Sequence, residues 1–133
     1  MAGFPTDAIL SHILVVQDID RATAWYRDVL GARLFRGYGG TTAVFDLNGA
    51  WLVLVTGGGP TKDKPDVTMT PPDDPARVSH SMTLRVADCR AAHVELRARG
   101  ARFLAEPVES EWEVRAFFRD PDGHLFEISE AKA

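Results

Sequence analysis

The carboxylate of Glu127 is the strongest candidate for chemistry in this chain. It lies in the stretch Arg119-Asp120-Pro121-Asp122-Gly123-His124-Leu125-Phe126-Glu127-Ile128-Ser129-Glu130. Asp-Pro-Asp-Gly signals a tight turn, because Pro presets φ and Gly accepts φ > 0. Beyond the turn the residues alternate, with His124, Phe126 and Ile128 on one strand face and Leu125, Glu127 and Ser129 on the other. A carboxylate between Phe126 and Ile128 is rarely buried unless it is paired, hydrogen-bonded or bound to metal. Three uses are open to it: metal ligand, general base, or ion-pair partner of Arg85 or Arg115. Two imidazoles, His12 and His80, would complete a two-His, one-carboxylate set of the kind that holds Fe(II), and that also suits Zn, Mn or Ni. For each imidazole the alternative is a satisfied, partly buried ring at a strand edge.

Other side chains offer binding rather than reaction. Arg85 and Arg115 could orient an anionic substrate through bidentate contacts, and strand parity puts Arg85 on the same side as Glu127. Trp51, Trp112, Phe117 and Phe118 could line a pocket for an aromatic substrate or simply fill the core. Cys89, at the start of a helix but with no base beside it in sequence, reads as inert. Gly57-Gly58-Gly59 is not a phosphate loop, since no Lys-Ser or Lys-Thr follows at the required spacing. His124, after its turn, reads as exposed or packed on the helix side.

The elements that position these residues repeat. Residues 9–17 read as a β-branched strand ended by Asp18, which can cap a helix over 20–30 with Ala22, Trp25, Tyr26, Val29 and Leu30 on its apolar face. Strands follow at 32–37, 41–47 and 50–56, the last two joined by Asn48-Gly49, a hairpin signal. Residues 57–77, with Pro60, Pro65, Pro71, Pro72 and Pro75, carry no periodicity and read as a long connecting loop, expected to be a mobile cover. The chain then restarts: a strand from Ser79 to Val86, a helix at 89–99 capped by Asp88, and strands at 101–105, 112–119 and 124–130. Ser11 precedes Asp18 by seven residues, as Ser81 precedes Asp88. Leu30-Gly31-Ala32-Arg33 answers Arg99-Gly100-Ala101-Arg102, and Asn48-Gly49 answers Asp122-Gly123. These are two βαβββ modules, about 8–56 and 78–131, in one domain over 1–133. A lone module leaves one sheet face uncovered, and a second copy supplies the partner.

Composition limits the function classes. Of 133 residues, 45% are hydrophobic and 26% charged, as in a soluble globular protein. The net charge of -4 argues against nucleic acid and offers no basic patch to a membrane surface. No apolar run is long enough to span a bilayer, residues 1–10 lack a signal-peptide pattern, and the single Cys89 fits a reducing cytoplasm.

Several of these segments resemble the vicinal oxygen chelate superfamily of glyoxalases, extradiol dioxygenases, fosfomycin-resistance enzymes and bleomycin-binding proteins. The residues that carry the resemblance are Val16-Gln17-Asp18-Ile19-Asp20 leading into Trp25-Tyr26-Arg27-Asp28-Val29-Leu30-Gly31, then Val86-Ala87-Asp88, Gly100-Ala101, and Asp120-Pro121-Asp122-Gly123-His124-Leu125-Phe126-Glu127. It covers nearly the whole chain apart from 57–77, and it is specific for the fold rather than the reaction. It implies an α+β fold in which the two modules form a cupped mixed sheet with the helices outside. It also implies metal ligands on the first and last strand of each module.

Carried onto this chain, those ligand positions are Ser11, Val53, Ser81 and Glu127. Only Glu127 is a proper ligand, and His12 and His80 each stand one residue away from a Ser. A one-residue shift turns a strand side chain to the opposite face, so the imidazoles would join Glu127 only if a β-bulge re-aimed them. Two functions are therefore expected. In the first, His12, His80 and Glu127 hold a divalent metal (Fe, Mn, Ni or Zn) that binds vicinal oxygens of a small substrate, in a lyase, isomerase or dioxygenase. Glu127 is its catalytic residue, and Ser11, Trp51, Ser81, Arg85, Arg115 and Phe117 bind the substrate. In the second, a metal-free cup sequesters an organic ligand, as the bleomycin-binding members do. The resemblance also implies a homodimer.

Overall fold

The computed structural model describes residue 3 and residues 5–132. The elements run β1 (Ser11–Val15), α1 (Ile19–Asp28), β2 (Arg33–Tyr38), β3 (Thr42–Leu47), β4 (Ala50–Val55), β5 (Met82–Arg85), α2 (Cys89–Ala98), β6 (Arg102–Phe103), β7 (Val108–Glu109), β8 (Glu113–Arg119) and β9 (Leu125–Ala131). They form an α+β fold with two mixed sheets. The first has the order β1-β4-β3-β2, and the second β5-β9-β8-β6, with β7 alongside β8. In each sheet the module's first strand runs parallel to its last, and the remaining pairs are antiparallel. The fifth strand of the second sheet, β7, is one that the sequence pattern does not announce.

Local chemistry explains the repeated halves. The Asp18 side chain accepts hydrogen bonds from the amides of Asp20 and Arg21 at 3.0 and 3.1 Å, and Asp88 accepts from Ala91 at 3.0 Å. Each aspartate thus satisfies amides that have no partner inside their helix. Asn48 and Gly49 both adopt positive φ, 51° and 92°, as a two-residue turn with the twist of its flanking strands requires. Alternation then decides burial. Along β8, Val114, Ala116 and Phe118 are buried, and along β9 so are Phe126 and Ile128.

Buried residues from both halves join in one core. Trp25 and Tyr26 on α1 reach the second sheet, with ring centroids 6.1 and 6.0 Å from Phe126, while Tyr26 also lies 6.0 Å from Phe45 of the first. Polar contacts clamp the same junction. Tyr26 donates to Asp120 Oδ2 at 2.6 Å, the Gln17 amide to Asp122 Oδ1 at 2.9 Å, and the His124 ring meets the Val15 carbonyl at 2.7 Å.

The connecting segment has structure that its composition does not announce. Gly58 and Met69 exchange backbone hydrogen bonds at 3.0 and 2.9 Å, and Lys64 Nζ donates to the carbonyls of Gly59 and Val67. Gly57, at φ +79°, lies so close to Met69 and Val15 that a Cβ there would meet the Met69 carbonyl oxygen. Farther on, Arg119 ties the Pro75 carbonyl at 2.7 Å.

Candidate functional site

Strand register places Glu127 between Thr83 of β5 and Phe117 of β8 on the face of the second sheet that points away from α2. The next row on that face is Arg85, Ser129 and Arg115. Thr83 donates its hydroxyl to Glu127 Oε1 at 2.6 Å, while Oε2 is buried without a partner. A buried carboxylate oxygen with no donor is costly, and it marks a place where a cation or a donating group would be welcome.

The two arginines beside it are engaged elsewhere. Arg85 donates to Ser129 Oγ at 2.9 Å, and Ser129 in turn donates to Glu113 Oε1 at 3.1 Å. Arg115 lies over the Phe117 ring, 5.4 Å from its centroid. Among the described residues neither forms an ion pair with Glu127, so the carboxylate is free of the structural pairing that the sequence leaves open.

On the first sheet, Ser11 pairs with Trp51 and Ile13 with Val53. Ser11 is exposed, Ile13 is half exposed, and Trp51 packs edge-on to Phe35 with centroids 5.3 Å apart. Ser81 is exposed immediately before β5. Hydroxyls thus stand at both first-strand positions, and an apolar side chain stands at the matching position of β4.

His12 shares its strand face with Leu14, which is fully buried, and lines a small cavity with Leu52, Met82 and Phe126. The pairing of β1 with β4 runs without a break from Ser11 to Val15, so no bulge turns His12 toward the face of Glu127. His80 lies just outside β5 and stacks on His12, with ring centroids 5.0 Å apart and planes at 20°. The His12 pKa is lowered, first by burial and then by the neighbouring His80 and His124. Burial therefore favours the neutral, ligating form of His12. Yet among the described residues no three His, Cys, Asp or Glu side chains converge as a metal site would require. Within one chain, His12 and His80 come together while Glu127 does not join them. The donor set does not fit a resident metal here: Glu127 has an oxygen to offer, but its near neighbours are a threonine, a phenylalanine, a serine and two arginines.

Three further polar groups are buried. His124 is buried, where Nε2–H donates to the Val15 carbonyl and Nδ1 has no partner. Its parity with Phe126 and Ile128 points inward, and only its place beside a turn suggests exposure. Asp120 is buried against Tyr26, and burial raises its pKa, while the Tyr26 hydroxyl and the His124 backbone and ring oppose the rise. Burial and the facing Asp120 push the Tyr26 hydroxyl well above its ordinary pKa. His93, on the inner face of α2, is buried against Phe103. Cys89 is buried, and burial with the nearby Glu130 raises its thiol pKa, which removes the thiolate that reactivity needs.

The two-module pattern is shared with known proteins. Residues 9–128 match the model of the Glyoxalase/Bleomycin resistance protein/Dioxygenase superfamily. The chain is 30% identical over 124 residues to the metallothiol transferase FosB of Lysinibacillus sphaericus, covering 90% of this chain and 79% of that protein. Its fold is similar to that of TnmS3, an antibiotic-binding protein from a Streptomyces species, with TM-score 0.70, 22% identity, and coverage of 98% of this chain and 100% of the other. It is also similar to the fosfomycin resistance protein FosX of Listeria monocytogenes complexed with Mn(II) and sulfate, with TM-score 0.68, 16% identity, and coverage of 96% and 93%. The family match spans nearly all of both modules, and this chain belongs to the glyoxalase/bleomycin resistance protein/dioxygenase superfamily.

Proposed function

We propose that the protein binds a small organic molecule on the sheet face around Glu127, without a resident metal. The observation that carries this reading is the donor set. Glu127 takes a hydrogen bond from Thr83, and the other ligand positions of the family carry Ser11, Val53 and Ser81. Carboxylate and hydroxyls serve as polar anchors, Arg85 and Arg115 favour an anionic or acceptor-rich ligand, and Phe117 and Trp51 supply aromatic surface. The likeness to an antibiotic-binding protein is consistent with this use of the fold.

A second reading has its own observation, the unpartnered Oε2 of Glu127. In it the protein is a metal-dependent enzyme like its metallothiol transferase relative, with His12, His80 and Glu127 as ligands and Fe, Mn, Ni or Zn as the metal. That reading needs both imidazoles and the carboxylate to meet, so it requires a rearrangement of one chain or the contribution of a second.

Thermal-shift measurements separate the two. In the first reading the melting temperature responds to aromatic or peptidic compounds and not to Mn(II), Fe(II), Ni(II) or Zn(II), and Glu127→Gln lowers ligand affinity while the unliganded protein melts nearly unchanged. Stabilisation by a divalent metal that Glu127→Gln abolishes would overturn it.

We also propose that two copies pair and that the protein works in the cytoplasm. Edge strand β2 is exposed along its whole length and presents Leu34, Phe35 and Tyr38 to solvent, an unpaired edge of the kind that proteins cover. Light scattering at micromolar concentration is expected to give the mass of a dimer, and a monomer's mass would reject the pairing. No described helix is long and apolar enough to cross a membrane.

A further inference from the structure

A cavity of about 320 Å³ lies at the junction of the two modules, roofed by the last part of the connecting segment. It is separate from Glu127, which does not line it. One wall is apolar, made by Ile13 and Val15 of β1 with Val78 and Leu125. The roof brings two opposite charges, Asp73 and Arg77. Among the described residues no ion pair joins them to each other or to any other group, so more than 4.0 Å separates the guanidinium from the carboxylate. Two opposite charges held apart in one cavity complement a ligand that carries both charges itself.

His124 supplies a third anchor. It lines the cavity and is only 6% exposed. Its Nε2 lies 2.7 Å from the Val15 carbonyl, which accepts only, so Nε2 carries a proton, and in that tautomer Nδ1 is an acceptor. That acceptor has no protein partner. A buried, unfilled acceptor calls for a donor such as an ammonium N–H.

We propose that this junction cavity binds an apolar α-amino acid. The carboxylate meets Arg77, the ammonium group meets Asp73 and His124 Nδ1, and the side chain lies against Ile13, Val15, Val78 and Leu125. The size suits such a ligand, since ligand pockets begin at roughly 300 Å³.

Three probes that differ in one charge each test the assignment: L-phenylalanine, 3-phenylpropionate and phenethylamine. Amide chemical shifts of the labelled full-length chain are followed during titration. L-Phenylalanine is expected to perturb residues 13–15, 72–80 and 123–125, and to bind at least about 10-fold more tightly than either half-ligand, as one charge-assisted hydrogen bond implies. Arg77→Gln should abolish the preference over phenethylamine, and Asp73→Asn should weaken the preference over 3-phenylpropionate. Both residues are exposed in the connecting segment, so neither change threatens the fold. Glu127→Gln should leave amino-acid binding unaltered, which keeps this site distinguishable from the one around Glu127. Equal binding of the three probes, no shifts up to about 10 mM ligand, or unchanged selectivity in either charge variant would overturn the proposal.

Discussion

Replacing Tyr26 by Phe removes one oxygen atom from the centre of the molecule and tests what holds the two halves together. In the native protein the Tyr26 hydroxyl donates to Asp120 Oδ2 at 2.6 Å, and Oδ1 takes the amides of Asp122 and His124 at 3.0 and 2.8 Å. Phe keeps the ring packed against Phe45 and Phe126, so no cavity term arises. What is lost is the donor to a buried carboxylate, an interaction worth about 1.5–3 kcal/mol. For a domain of this size each kcal/mol moves the melting temperature by roughly 4 °C, so the fall should be about 6–12 °C. The deficit should also depend on pH. Burial raises the Asp120 pKa, and the Tyr26 hydrogen bond opposes that rise, so without the hydroxyl the pKa climbs further. A carboxyl whose folded pKa is raised contributes stability that is present below its unfolded pKa and lost as pH rises through the folded value. The variant therefore gains relative to wild type as the pH falls, and its deficit is largest near neutrality. Urea unfolding at pH 7.5 and pH 5, with the slope m unchanged, reads both effects. A deficit below about 0.5 kcal/mol at pH 7.5, smaller than any hydrogen bond to a buried charge should leave, would refute the reasoning, as would one that grows on acidification.

Two backbone features give independent predictions. Gly57→Ala should destabilise by about 2–4 kcal/mol in urea unfolding, because a left-handed Ala is strained and its methyl must displace Met69 or Val15; a cost under about 1 kcal/mol would mean that the segment shifts freely. Asp88→Ala should cost about 1 kcal/mol through loss of the α2 cap, with Asp88→Asn nearly neutral, and equal losses in the two variants would assign the effect to charge rather than to capping.

Much of the fold is legible in the sequence because it is specified by short-range chemistry. Asp18 and Asp88 announce their helices by capping, Asn48-Gly49 announces its turn through positive φ, and the alternation in 114–118 and 124–128 gives the buried faces directly. What is not legible comes from contacts between distant residues. Strand β7 is two residues long, too short for a periodicity, and it exists because Val108 and Glu109 find Arg115 and Val114. The order within 57–77 comes from Gly58 meeting Met69 and from the reach of Lys64, neither of which a count of prolines and glycines reveals. His124 is read correctly by its parity and misleadingly by its turn, and its burial is set by a carbonyl 109 residues away.

The site illustrates why residue type is weaker evidence than phase. His12, His80 and Glu127 have the composition of a metal triad, and the first two do come together. In a strand, however, one residue of phase is half a turn of direction. His12 is in step with Leu14 and Val16, whose burial against the core fixes the register of β1, and turning His12 toward the opposite face would expose both. That exposure would cost several kcal/mol of apolar burial, at about 1.5–3 kcal/mol for each side chain. A bulge could avoid the cost, but the pairing of β1 with β4 is unbroken, so the hydrophobic pattern outweighs the chemical one. Glu127 is in the opposite position. Its phase puts it opposite Thr83 and beside Phe117, on the face to which the family resemblance assigns ligands, and the partners it meets there are hydroxyl, aromatic and guanidinium groups. Such a set would suit the polar atoms and rings of an organic molecule, and it is on that face, with that carboxylate, that the proposed binding is to be sought.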